Sequence, residues 1–166
     1  YPVYCKIFKC NEYAFNIFPG ENKKVLFNKM LKDIRRIRPK IIALANPNQP
    51  VEFFLNKNEL SKILKLTKKT KSLVVIDEAY YHFSNFSAIS LIKKFNNLVV
   101  VRTFSKAYGL AGLRIGYSIS NKKIIDSMKI VKPIYEINNK KIKICEYFLK
   151  NLNIMKKYVK DVDNSR

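Results

Sequence analysis

The chain has 166 residues, 48% of them hydrophobic, which suits a globular domain with a buried core and excludes a disordered polar chain. No apolar run approaches the roughly 20 residues that cross a bilayer, so no membrane span is expected. The net charge of +21 is spread along the whole chain and arginine, the usual reader of base edges, is scarce, so solvated helix faces rather than a nucleic-acid surface account for it.

In chain order, residues 1–8 alternate loosely and read as a strand. Val25, Leu26, Met30, Leu31, Ile34 and Ile37 fall on one face of a helix that ends near Pro39. KIIALANP at 40–47 is a short β-branched run closing in a Pro/Asn turn, a buried strand followed by a loop. Leu60, Ile63, Leu64 and Leu66 mark a second helix, with Asn58 as its N-cap and Glu59 in its first turn. SLVVIDEAY at 72–80 reads as a strand with Asp77 and Glu78 at its C-terminal end, and residues 87–95 as a short helix. NLVVVRTFSK at 97–106 is a further strand breaking into a polar turn, and GLRIGYSIS at 112–120 another. The tail from 138 to 159 is one long basic helix or two shorter ones. Near-continuous apolar strands alternating with helices predict an α/β fold, a mostly parallel sheet covered on both faces in three α/β/α layers.

In open α/β sheets ligands bind beyond the C-terminal strand ends. Three such ends carry unusual polar groups here: Asn46 to Pro50, Asp77 to Tyr80, and Thr103 to Lys106. Each alone is a common turn or cap. Together they place an acid, a phenol, hydroxyls and an amine along one edge of one sheet. His82 reads as a loop or packing residue. The aromatic group Tyr80, Tyr81, Phe83 and Phe86 suits a substrate pocket or core packing equally. Cys5, Cys10 and Cys145 have no metal or redox spacing. An odd, scattered count reads as small, partly buried, reduced thiols of a cytoplasmic protein, with no metal site.

NPNQP, DEAYYHF and TFSKAYGLAGLRIGY, in that order, resemble the three cofactor-binding segments of the pyridoxal-phosphate-dependent aminotransferase class I/II family of fold type I, most like its histidinol-phosphate aminotransferase branch. The resemblance covers residues 1 to about 133. It implies the core of that family's large domain over 1–133, with 134–166 a helical segment starting a small domain that lies beyond this chain. The chain is accordingly expected to be a fragment.

The resemblance also implies roles. Lys106 would bond covalently to the aldehyde of pyridoxal 5'-phosphate and, when displaced, carry the proton of the reaction. Asp77 would face the pyridine nitrogen and keep it protonated. Tyr80 would hydrogen-bond the ring's 3'-oxygen. Arg114, with Thr103 and Ser105, would hold the phosphate, a dianion suited to a forked guanidinium. Small residues at Gly109, Ala111 and Gly112 would let the backbone fold back close to the site. Tyr1 would stack on the cofactor. Gln49 stands where the family has an asparagine contacting the 3'-oxygen, and is followed by Pro50, Val51 and Glu52 instead of the family's Thr-Gly or His-Gly.

The implied activity is transfer of an amino group between an amino acid or amino phosphate ester and a 2-oxo acid, by an enzyme that is a homodimer at full length. The same residues also suit decarboxylation of an amino-acid phosphate, and an inactive remnant would keep the motifs without the function. A basic nucleic-acid-binding module is the remaining class. It predicts salt-sensitive affinity for DNA or RNA and no response to pyridoxal phosphate.

Overall fold

The structure, a computed structural model, describes residues 2–51, 53–84, 86–133 and 137–165. In chain order its elements are α1 (Pro2–Ile7), α2 (Lys23–Ile37), β1 (Ile41–Ala45), α3 (Lys57–Thr70), β2 (Leu73–Asp77), a 3-10 turn at Tyr81–Phe83, α4 (Ile89–Ile92), β3 (Leu98–Thr103), a 3-10 turn at Ala111–Leu113, β4 (Gly116–Ser120), α5 (Lys122–Val131), α6 (Asn139–Lys150) and α7 (Leu152–Asn164). The strands lie in the order β1-β2-β3-β4. The first three are parallel and β4 runs antiparallel to β3. This is the mostly parallel α/β sheet that the alternation of apolar runs predicts.

Strand alternation sends neighbouring side chains to opposite faces. On one face Val74, Ile76, Leu98 and Val100 are buried with Leu26, Met30 and Ile34 of α2, Leu60, Ile63 and Leu64 of α3, and Leu91 of α4. That face is the main core. The opposite face, carrying Leu73, Val75 and Asp77 of β2, is only part-buried. The covering of the two faces is therefore unequal among the described residues, and Asp77 and Thr103 point to the thinner side.

The helices begin where side chains satisfy the backbone N–H groups that a helix leaves open. Asn22 accepts from Lys24 and Val25 at the start of α2. The cap of α3 is Asn56, not Asn58. The Asn56 side chain accepts from Asn58 and Glu59, and Glu59 reaches back to the Asn56 N–H, a reciprocal box in which Asn58 is only the second helical residue.

Three other expectations are corrected. Residues 2–7 form a helix rather than a strand. Val3 with Ile7 and Tyr4 with Phe8 also satisfy the i,i+4 spacing of a helix, Pro2 suits its first position, and the Phe8 N–H donates to the Tyr4 carbonyl at 2.9 Å. The strand read over 112–120 starts only at Gly116, because a 3-10 turn and the left-handed Arg114 (φ 54°) precede it. The helix read over 87–95 is the short α4. In addition, α5 lies in a segment with no predicted element. The tail is two helices, α6 and α7, split at Asn151.

A smaller core joins this tail to the segment after β3, where Cys145 and Met155 are buried with Phe104, Ala107, Tyr108 and Ile115. All three cysteines are free thiols. Cys145 is buried and Cys5 partly so, whereas Cys10 is exposed, unlike the partly buried place expected for it. Among the described residues no helix is long and apolar enough to cross a membrane.

Candidate active site

The register places the three polar strand ends side by side. Ala45 is paired with Asp77, Asp77 with Val101, and Thr103 with Gly116. The loop after β1 starts beside Asp77, since the Asn46 N–H donates to the Asp77 carbonyl at 2.9 Å. Asp77 and Thr103, two residues past Val101, share one face of the sheet at its C-terminal edge.

Asp77 is half-buried, and its Oδ1 accepts the Ala79 N–H at 3.0 Å, which shapes the turn into Tyr80. Across that turn the Nζ of Lys106 stands 5.0 Å from the centroid of the Tyr80 ring. Lys106 is exposed. The Thr103 hydroxyl donates to Ser105 Oγ at 2.9 Å and accepts the Ser105 N–H at 3.0 Å, so the two hydroxyls form a pair at the end of β3.

The turn after the lysine needs its glycine. Gly109 has φ +67°, and its N–H donates to the Lys106 carbonyl at 2.8 Å while Leu110 closes on Phe104. Arg114 returns to the same strand end, because the Ile115 carbonyl next to it accepts the Phe104 N–H at 3.1 Å. Its guanidinium is exposed and turned toward the Ala111 carbonyl at 3.5 Å rather than onto the hydroxyl pair. Gln49 lies exposed on the loop that begins beside Asp77. Tyr1 lies outside the described residues.

Side chains beneath this edge do work that the sequence reading had not assigned. Asn46 is 1% exposed, accepts the Leu55 N–H at 2.8 Å and donates to the Leu55 carbonyl at 3.0 Å, pinning both ends of the Gln49 loop. Glu78 is also 1% exposed and pairs with Arg102 at 2.9 Å. Burial works against the charge on Arg102, but hydrogen bonding with Tyr117 and Glu78 outweighs it and holds the guanidinium above its ordinary value. Extending the β2–β3 register one step sets Glu78 opposite Arg102, both on the core face.

His82 sits edge-on to Tyr108 at 5.2 Å and beside Tyr81 at 4.8 Å, a packing residue as expected. Burial, helped by the positive charge of Arg102, pushes its imidazole below the ordinary range. In the aromatic group, Tyr80 packs against Phe83 at 6.4 Å, whereas Phe86 joins the main core and stands edge-on to Phe54 at 5.6 Å.

Chemically, the edge offers an amine able to bond a carbonyl, a carboxylate able to hold a cationic ring nitrogen, a phenol donor, and two hydroxyls able to donate to a phosphate, with the Arg114 guanidinium exposed on the turn that follows. This donor set fits pyridoxal phosphate group by group.

Comparison with known proteins bears on the same residues. The model of the family described as aminotransferase class I and II matches residues 1–140. Histidinol-phosphate aminotransferase of Caldanaerobacter subterraneus subsp. tengcongensis is 34% identical over 166 residues, 100% of this chain and 46% of that protein. A crystal structure of histidinol-phosphate aminotransferase from Sinorhizobium meliloti, in complex with pyridoxal-5'-phosphate, superposes with a TM-score of 0.76 at 25% identity, covering 84% of this chain and 38% of that one. L-threonine-O-3-phosphate decarboxylase from Porphyromonas gingivalis superposes with a TM-score of 0.72 at 26% identity, covering 93% of this chain and 45% of that one. This chain thus spans less than half the length of these relatives.

Proposed function

The chain belongs to the aminotransferase class I and II family, and from that membership we propose that it is the cofactor-binding part of a pyridoxal-phosphate-dependent transaminase acting on an amino acid or amino phosphate ester and a 2-oxo acid. The observation that carries the reading is the meeting of Asp77, Tyr80 and the Thr103–Ser105 hydroxyl pair at one sheet edge, with the Lys106 amine 5.0 Å over the Tyr80 ring.

When bound, pyridoxal phosphate supplies a ring that draws electrons from the carbon bearing the substrate's amino group. Lys106 would hold it through Nζ and would carry a proton on that same Nζ. Asp77 would keep the proton on the ring nitrogen by its negative charge. Tyr80 would donate its phenol hydrogen to the ring oxygen, and Gln49 would serve the same oxygen from its loop. Thr103, Ser105 and Arg114 would bind the phosphate.

Residues 1–133 supply this site, and 134–166 open the helical part that leads into a further domain. The likeness to the P. gingivalis decarboxylase supports a second reading, in which the same residues release the substrate carboxylate instead. The full-length protein is read as a cytoplasmic homodimer. Free thiols support a reducing compartment. Exposed apolar side chains on α6 and α7, such as Tyr147 (56%) and Leu149 (49%), support a covered surface.

An absorbance titration with pyridoxal phosphate tests the cofactor. A visible band that survives dialysis is expected from this chain and not from Lys106→Ala. Product analysis of the full-length enzyme then separates the outcomes, since a decarboxylase releases carbon dioxide and a transaminase needs a 2-oxo acid.

A further inference from the structure

Asp77 and Glu78 divide between the two faces of the sheet. Asp77 goes to the site, and Glu78 goes into the core with Arg102. Glu78 Oε1 accepts the Ala88 N–H at 2.6 Å and the Ser87 hydroxyl at 3.1 Å, while its Oε2 accepts Nε and Nη2 of Arg102 at 3.0 and 2.9 Å. Arg102 Nη2 also donates to Ser87 Oγ at 2.8 Å, and its guanidinium carbon lies 3.5 Å from the centroid of the Tyr81 ring.

Three members of this group are chain neighbours of site residues. Glu78 follows Asp77, Tyr81 follows Tyr80, and Arg102 precedes Thr103 on the strand that leads to Lys106. We infer that Glu78 and Arg102 are a positioning pair, an ion pair of a buried carboxylate and a part-buried guanidinium stacked on Tyr81, that sets where Asp77, Tyr80 and Thr103 stand relative to Lys106. The inference rests on the cofactor reading of that edge given above.

A buried ion pair is a poor way to gain stability, because desolvating both charges cancels much of their attraction. It is a good way to fix geometry. Two N–H groups of a planar fork converge on one carboxylate oxygen, and the other oxygen is held by a backbone N–H, so neither partner can slide. The pair links the end of β2 to β3, one residue from Asp77 and one from Thr103, and small displacements at such a distance matter. A misplacement of about 1 Å is enough to cost roughly a hundredfold in a positioned reaction.

The test compares Glu78→Gln and Arg102→Lys with Thr67→Val, which disturbs a buried hydroxyl bonded to Asn97 before the start of β3, at the other end of the sheet. Two quantities are read in each. One is pyridoxal phosphate affinity together with the pH midpoint of the visible band. The other, taken without cofactor, is hydrogen exchange at the Ala79 N–H, which reports its bond to Asp77.

Both pair variants are expected to weaken binding about tenfold or more, move the midpoint and speed Ala79 exchange about tenfold, with Arg102→Lys the milder. Thr67→Val is expected to lower thermal stability and leave all three alone. Pair variants that are merely less stable, with affinity, midpoint and Ala79 exchange as in the parent, would overturn the inference. Should they fail to fold, Ser87→Ala removes the hydroxyl that both partners bond while keeping both charges, and is read by the same criteria. If the parent chain gives no band at all, the cofactor reading fails by itself, and Ala79 exchange still decides whether the pair sets the Asp77 turn.

Discussion

The Nζ of Lys106 stands 5.0 Å from the centroid of the Tyr80 ring, so the amine of the candidate site lies over the aromatic face of its tyrosine. Removing only the hydroxyl separates the ring's role from the phenol's. Tyr80→Phe keeps the aromatic face beneath the amine and loses one hydrogen bond, worth about 0.5–1.5 kcal/mol. The expected result is a visible band with pyridoxal phosphate that still forms, with affinity reduced about three- to tenfold, as measured by equilibrium titration.

Asn46 ties the loop bearing Gln49 to the sheet through two bonds to Leu55. Asn46→Leu would leave the buried N–H and carbonyl of Leu55 without those partners. A loss of about 2–4 kcal/mol is expected, from about 1–3 kcal/mol for each orphaned group less what the loop regains by relaxing toward water. Urea unfolding of the two proteins measures it.

Gly116 pairs with Thr103 where β4 begins, and a Cβ there would lie 2.7 Å from the Arg102 carbonyl oxygen. The obstacle is backbone, which cannot rotate away. Gly116→Ala is expected to push β4 from β3 at a cost of about 1–3 kcal/mol, read as a lower thermal midpoint, and to weaken the phosphate capture proposed for Thr103 and Ser105.

His82 gives stability a dependence on pH. Burial first, then the charge on Arg102, holds its folded value below the ordinary 6.5. Between that lowered value and 6.5 the unfolded chain binds more protons than the native one, so stability rises with pH there. Stability present above pH 6.5 is therefore lost as pH falls through the window below it. A series of thermal midpoints from neutral to mildly acid pH should show this fall, and His82→Phe, which keeps a ring against Tyr108, should flatten it.

Strand and helix order were legible because the evidence for them is local. Apolar runs such as LVVID and LVVVRT, and the i,i+4 faces of α2 and α3, survive without knowledge of neighbours. Residues 2–7 were misread because a six-residue apolar segment satisfies both periods, and none of its side chains is buried to decide between them. The segment of α5 carried a usable signal in Asn121, which caps Ile124. Asp77, Tyr80, Thr103, Ser105 and Lys106 could be singled out as strand-end polar groups. The work of Asn46 and the Glu78–Arg102 pair could not be read that way, because it depends on the register between strands and on a loop folding back to Leu55. Arg114 shows a different limit, since its spacing from Lys106 says nothing of where its guanidinium turns, which is toward the Ala111 carbonyl.

The central claim is that Lys106, among the many lysines of this chain, is the one that bonds pyridoxal phosphate. Borohydride reduction of the chain mixed with the cofactor, followed by peptide mapping in a mass spectrometer, tests it directly. The account predicts stoichiometric labelling confined to the peptide carrying Lys106, and none there in Lys106→Ala. Labelling scattered over the surface lysines, unchanged by that substitution, would contradict it.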